Sequence, residues 1–424
     1  MRYINFDNLT VDPEWSFEGY RSVEQWTHGY HRYPAKFLPN VVKKLIETYV
    51  TNGSYVVADL FAGCGTTLVE AKVHGLTSVG TDINPVATLI AKVKTTAISP
   101  ELLQREYFRL CRIIERYDLE KKDLGYPSHP RIDYWFRPEE KTKIAFLFKI
   151  INEIEDISVR EFFLVCVSHI LKNSSIWLQD STKPQRDLNK KIVDPFTSFA
   201  KHYKKMKQGN DQFYNELRAN KRLDTSCQIK LEDARNTSIK KSSIHAIITS
   251  PPYVTSYEYA DIHQLTGYWL DYITNIDEFR QKFIGTSYPS IDRPNSLGSS
   301  RLAKKIVSQL REKDKRIARN VSYYFHDLDS VTQEMNRILV PKGFVCIVVG
   351  NTVFKDIHIR SAEVIWEYLR DKNFKKVQII KRNIPHKLMP TIRDKVTGKF
   401  CSRKSGNYKE VYPDEFIIIA QKRS

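Results

Sequence analysis

Residues 55–85 read YVVADLFAGCGTTLVEAKVHGLTSVGTDINP, and this stretch decides the fold. An apolar run, YVVADLF, ends in the glycine-bearing turn AGCGTT; LVEAKVHG then carries a helical pattern, and SVGTDINP opens with a second short apolar run. Strand, tight turn, helix and strand make one β-α-β unit. The alternation returns downstream. SIHAIIT (243–249) is a short strand stopped by Pro251 and Pro252, which cannot donate to a ladder. DSVTQEMNRIL (329–339) predicts a helix, Pro-Lys-Gly a turn, and FVCIVVG (344–350) a buried strand. A helix over 361–371 leads to FKKVQII (374–380), and EFIIIAQ (415–421) closes the series. Helices alternating with short, continuous apolar strands predict an α/β fold with a doubly wound, mostly parallel sheet.

Other segments fit the sheet less well. ELLQREYFRLCRIIERY and KTKIAFLFKIINEI carry helical spacing within a region rich in long charged side chains and aromatics. The chain therefore divides into 1–98, a large, mainly helical insertion over 99–228, and 229–424. Residues 301–324 place Leu302, Ile306, Leu310, Ile317, Val321 and Tyr324 near one helical face with eight lysines and arginines on the others. This predicts one basic amphipathic helix, either solvated or facing nucleic acid. SSIWLQDSTKPQRD (174–187) offers Trp177, Lys183 and Arg186, a set that could grip phosphates or wedge a base stack, or simply end a helix. His386–Lys409 is basic and poor in apolar residues, and reads as a long hairpin loop facing DNA or solvent.

With 67 lysines and arginines against 49 acidic residues, the 424-residue chain carries a formal charge of +18. Such an excess suits a polyanionic partner, the plain alternative being a basic solvated surface. The six cysteines form no CxxC pair and no zinc-type grouping with histidine, so free thiols in a reducing compartment and no metal are expected. No apolar run reaches the roughly 18–20 residues that span a bilayer, and MRYINFDNLT does not open as a secretory leader. A cytoplasmic protein with no membrane partner is the expectation.

Asp59 closes the first strand, Gly63 and Gly65 let a ligand approach the backbone, and Asp82 closes the second strand. A carboxylate there can accept both hydroxyls of a ribose. The turn lacks the third glycine of the dinucleotide fingerprint, which weighs against NAD.

DLFAGCGTT followed by VGTDINP resembles the cofactor motifs of the amino-methylating DNA methyltransferases. HRYPAKF (31–37) resembles the segment that precedes them and covers the methionine end of the cofactor. The resemblance spans roughly the first 95 residues and most of 229–424. It implies the S-adenosylmethionine-dependent methyltransferase fold with S-adenosylmethionine as cofactor. Lys36 and Phe37 fall on the methionine side, Asp59, Phe61, Gly63, Gly65 and Thr66 in the loop around it, and Asp82 at the ribose. Asp233, in IKLEDARN, resembles the acidic residue beside the adenine amino group.

TSPPY (249–253) is the strongest functional signal, and its chemistry is intelligible. The lone pair of an exocyclic amino nitrogen is delocalised into the base ring. Acceptors that hold the amino hydrogens out of plane localise that pair and aim it at a methyl donor, with no covalent intermediate. Ser250 Oγ and the Pro251 carbonyl are the expected acceptors, Pro251 and Pro252 stiffen the backbone, and Tyr253 offers a face for an extruded base to stack on. Neighbouring Tyr257, Tyr259 and His263 are candidates for the base pocket or for core.

By the resemblance, serine at the head of SPPY is commoner among cytosine-N4 enzymes. The expected activity is therefore site-specific cytosine-N4 methylation of double-stranded DNA by base flipping, in a restriction-modification system with a possible cognate restriction endonuclease. Alternatives are an adenine-N6 DNA methyltransferase, an RNA base methyltransferase, or a non-catalytic DNA-binding subunit. A cytosine-C5 enzyme would need a nucleophilic cysteine, typically after a proline, and no cysteine here follows one. The motif order matches the one called alpha, in which an insertion such as 99–228 carries target recognition, although here it precedes the Asp233 strand.

Overall fold

The computed structural model describes residues 5–18, 24–33, 36–120, 124, 127, 129–179, 181, 183–254, 258–290, 294, 296–384, 392–394, 408–410 and 414–424. Seven strands form the main sheet: β1 (Val57–Asp59), β2 (Ser78–Asp82), β3 (Cys227–Leu231), β4 (Ile244–Thr249), β5 (Leu339–Val349), β6 (Phe374–Asn383) and β7 (Asp414–Lys422). The longer helices are α1 (Pro39–Tyr49), α2 (Thr66–Val73), α3 (Pro85–Thr95), α4 (Pro100–Ile114), α5 (Pro138–Asn152), α6 (Ile157–Ile170), α7 (Pro195–Ala219), α8 (Tyr259–Trp269), α9 (Arg301–Lys313), α10 (Lys315–Ile338) and α11 (Ser361–Asp371).

The strand order is β3-β2-β1-β4-β5-β7-β6, with β1 to β5 parallel and β7 antiparallel to both its neighbours. The order reverses between β1 and β4, where the loops after the two strands diverge to opposite sides and leave a crevice at the carboxyl edge. This is the doubly wound, mostly parallel sheet expected.

Alternation along each strand divides the core in two. Ala58, Ile247, Ile347 and Ile418 join one buried cluster with α9, α10 and α11, whereas Val57, Ala246, Ile248, Cys346 and Ile417 join another under α1. Helices α4 to α7 share a third cluster with Ile90 and Val93 of α3 and Leu265 and Trp269 of α8. The insertion is thus helical, and it is packed against the sheet's own helices.

Three local expectations change. The basic helix is two helices: Asp314, with an extended φ of −158°, ends α9 and caps α10 by accepting from the amides of Arg316 and Ile317. Its apolar face does enter the core, with Leu302, Ile306, Leu310, Val321 and Tyr324 buried. The Pro-Lys-Gly turn lies within β5. Ile244 pairs with Leu339 but Ala246 with Phe344, so residues 340–343 bulge from the ladder with Lys342 at φ +64°. Trp177 is no exposed wedge: it is 2% exposed and stacked on Trp135 at 4.9 Å.

Among the described residues no helix is long and apolar enough to cross a membrane, and no group of three or more His, Cys, Asp or Glu side chains could hold a metal ion. Tyr257, Cys401 and most of the 386–409 stretch lie outside the described residues.

Candidate active site

A cleft of about 820 Å³ opens along the carboxyl edge of the sheet. Its walls follow the strand ends: Asp59, Phe61, Gly63 and Thr66 after β1, Asp82 and Ile83 after β2, Asp233 and Ala234 after β3, Ser250 and Pro252 after β4. Tyr33, Lys36 and Phe37 enter from the segment before α1, Tyr259 from the first turn of α8, and Lys282, Phe283 and Ile284 from a loop.

The turn after β1 is built for close approach. Gly65 has φ +78° and caps α2; a Cβ there would stand 2.9 Å from the Ala91 Cβ of α3, so only glycine lets the two helices meet. Gly63, at φ +50°, turns its amide onto Asp82 Oδ2 at 2.8 Å. The other Asp82 oxygen accepts from the Asn84 amide at 2.9 Å, so the carboxylate is aimed before any ligand arrives. Asp59 accepts from the Thr249 hydroxyl at 2.6 Å and the Phe61 amide at 3.0 Å, joining the end of β4 to the turn. Burial pushes both carboxyls up to about 6, against the opposing pull of these hydrogen bonds.

Lys36 donates to the His28 carbonyl at 3.2 Å and leaves its charge at the cleft wall. Asp233 lines the cleft but is also clamped by Arg235, which donates to both its oxygens, at 2.9 and 3.0 Å from Nε, and reaches Asp327 at 2.8 Å from Nη1. Ser250 donates its hydroxyl proton to the Val348 carbonyl of β5 at 3.0 Å. That single proton being committed, the oxygen presents lone pairs to the cleft.

A family model for N6/N4 DNA methylases matches residues 5–93. The chain is 28% identical to the Type II methyltransferase M.MvaI of Kocuria varians over 94% of this chain and 91% of that one. It is 22% identical to the Type II methyltransferase M.MjaII of Methanocaldococcus jannaschii over 80% of this chain and 75% of that one. These matches liken the chain to N6/N4 DNA methylases and to Type II methyltransferases. Among solved structures, a methyltransferase from Methanosarcina mazei overlays 89% of the chain and 97% of its own at a TM-score of 0.32 and 11% identity.

Most of the side chains expected from sequence meet in the cleft, and three do not line it. Gly65 faces α3, and Pro251 is buried behind the wall. Tyr253 lies against Gly350 and donates its hydroxyl to Glu415 Oε2 at 2.8 Å. Its pKa is pushed well above the tyrosine range, chiefly by burial and then by the Glu415 charge. His263 is also core: it is 2% exposed and bonded to Asn84 at 2.7 Å, so it steadies the loop carrying Asp82.

Sequence reasoning missed Cys64, Ala234 and the 282–284 loop. It counted Tyr33 only as part of a motif, yet that ring closes the cleft between Gly63 and Tyr259. The available signal was KFIG (282–285), an apolar pair beside a glycine shortly after the aromatic-rich helix.

Proposed function

We propose that this protein transfers a methyl group to the exocyclic N4 of cytosine in double-stranded DNA, by base flipping, as the modification partner of a cognate restriction endonuclease. The observation that carries the reading is the Ser250 hydroxyl, fixed as a donor to Val348 and hence an acceptor toward the cleft, at the mouth of a turn that adjoins the cofactor motifs. When bound, S-adenosylmethionine supplies an electrophilic methyl group. The residues present fit it: Asp82 faces the ribose hydroxyls, Lys36 and Phe37 the methionine end, the Asp59–Thr66 turn the space between, and Asp233 the adenine end.

The Ser250 hydroxyl holds the base amino group, and Tyr33 and Tyr259 give the extruded base flat surfaces that offset part of the few kcal/mol that flipping costs. In this reading residues 1–98 bind the cofactor, 229–424 carry the catalytic turn, and 99–228 recognises the target. Both curated relatives named above are Type II methyltransferases, which supports the pairing with a nuclease.

The test is the product. DNA methylated by the purified protein, digested to nucleosides and examined by mass spectrometry, should yield N4-methylcytosine. N6-methyladenine would overturn the cytosine choice, and methylation confined to RNA the substrate class.

Asp82 carries a second expectation. With its carboxyl pushed up to about 6, cofactor affinity should fall about tenfold per unit as pH drops below that value, because the protonated form is a poorer acceptor. A raised carboxyl pKa stabilises the free fold at low pH and loses that contribution as pH rises through 6, so the lost affinity is not unfolding through this group. Calorimetry on Asp82→Asn should show weaker binding at pH 7.5 and a flat profile. A mutant that keeps the slope would move the titration to Asp59.

A further inference from the structure

The proposed reaction requires DNA to be held beside the cleft, and one flank carries an arrangement that no catalytic role absorbs. Arg131 and Arg186 both place their guanidinium groups against the ring of Tyr134, at 4.4 and 4.2 Å from its centroid. Tyr134 is 40% exposed. Among the described residues neither arginine forms an ion pair with a carboxylate, so two like charges share one aromatic ring and an anionic partner would relieve their repulsion. Stacking fixes the plane of a guanidinium, which is the pre-organisation that bidentate recognition uses; Arg186 is exposed, whereas Arg131 commits Nη2 to Gln264 and buries its Nε.

The base of this cluster is rigid. Trp135 packs edge-on to Tyr134 at 5.0 Å and stacks on Trp177, whose indole donates to the Ser181 carbonyl at 3.1 Å. Trp177 also pairs with Arg186 in an isolated bridge. Two routes tie the cluster to the cleft. Arg131 reaches Gln264 of α8, five residues or roughly 7.5 Å of helix from cleft-lining Tyr259. Arg32, adjacent to cleft-lining Tyr33, donates to Asn173, which also accepts from Gln179 in the loop that bears Arg186.

We propose that Arg131, Tyr134 and Arg186 form a contact surface for duplex DNA beside the cleft, the exposed Arg186 guanidinium offering a planar pair of donors to paired acceptors on a phosphate or on a guanine edge while Arg131 adds its charge and holds the Tyr134 ring. This rests on the DNA reading of the cleft and adds which part of the insertion grips the duplex. Arg131→Ala, Arg186→Ala and Arg131→Lys, each checked for unchanged cofactor affinity as evidence of folding, would be titrated against a mixed-sequence duplex over a salt series. DNA from cells expressing each variant would be sequenced for modified positions.

Each alanine variant should bind on the order of tenfold more weakly, and Arg131→Lys, which keeps the charge but loses the stacked fork, should be impaired as well. Phosphate contact would lower the slope of log affinity against log salt by about one per arginine and keep the methylated motif. Guanine contact would leave the slope and relax the motif at one base pair. Variants with wild-type affinity, slope and motif would overturn the proposal. If the wild type made no N4-methylcytosine, the reading of the cleft would fail while the salt series still judged this surface.

Discussion

Ser250→Ala is expected to lower kcat by about a hundredfold, near 2.7 kcal/mol, while changing DNA and cofactor affinity little. The hydroxyl spends its proton on the Val348 carbonyl and faces the cleft with lone pairs alone. An acceptor so held is worth little to a ground-state amino group, which any water can satisfy. It gains worth as nitrogen rehybridises and its hydrogens leave the ring plane. The structural cost should be small, since one hydrogen bond between the end of β4 and β5 contributes about 1 kcal/mol. Single-turnover rates at saturating DNA and cofactor measure the effect directly. Ser250→Asn, whose amide oxygen still accepts, should retain more activity than alanine. A loss confined to KM would show instead that the serine binds without activating, and the acceptor role would fall.

The division between what the sequence disclosed and what it concealed follows the range of the interactions. The β1–turn–α2–β2 unit was readable because its determinants are local: glycines where φ is positive and carboxylates at strand ends. TSPPY was readable for the same reason, since two prolines after an apolar run stop a strand whatever surrounds it. The split of the basic helix at Asp314 was not, because the apolar spacing runs on through it and only a single capping side chain marks the break. Likewise Asp233 reads as a free acid until the fold brings Asp327 across to share Arg235. The 282–284 wall and the tyrosine pair at 33 and 259 depend on packing between segments more than two hundred residues apart, which no local pattern encodes.

The role of Tyr253 shows the same distance effect and supports the remaining large expectation. Its hydroxyl donates to Glu415 of β7, and Glu415 is paired with Arg382 of β6, which is only 2% exposed. Arg382 in turn donates to the Trp15 carbonyl at 2.6 Å and the Ser16 carbonyl at 3.5 Å, so the amino-terminal segment completes the enclosure. A buried pair satisfied on every side contributes little net attraction, yet removing one member strands the other in a place that cannot solvate it. Arg382→Met should therefore cost about 3–5 kcal/mol of stability, read as a lowered urea midpoint with unchanged slope. Tyr253→Phe should be milder in stability but visible in catalysis. It leaves Glu415 paired with Arg382 and unties the SPPY turn from β7, so kcat should fall severalfold with the fold and cofactor affinity intact. Equal urea midpoints for Arg382→Met and wild type would mean that Glu415 finds water when its partner is lost, and the turn would then need another anchor.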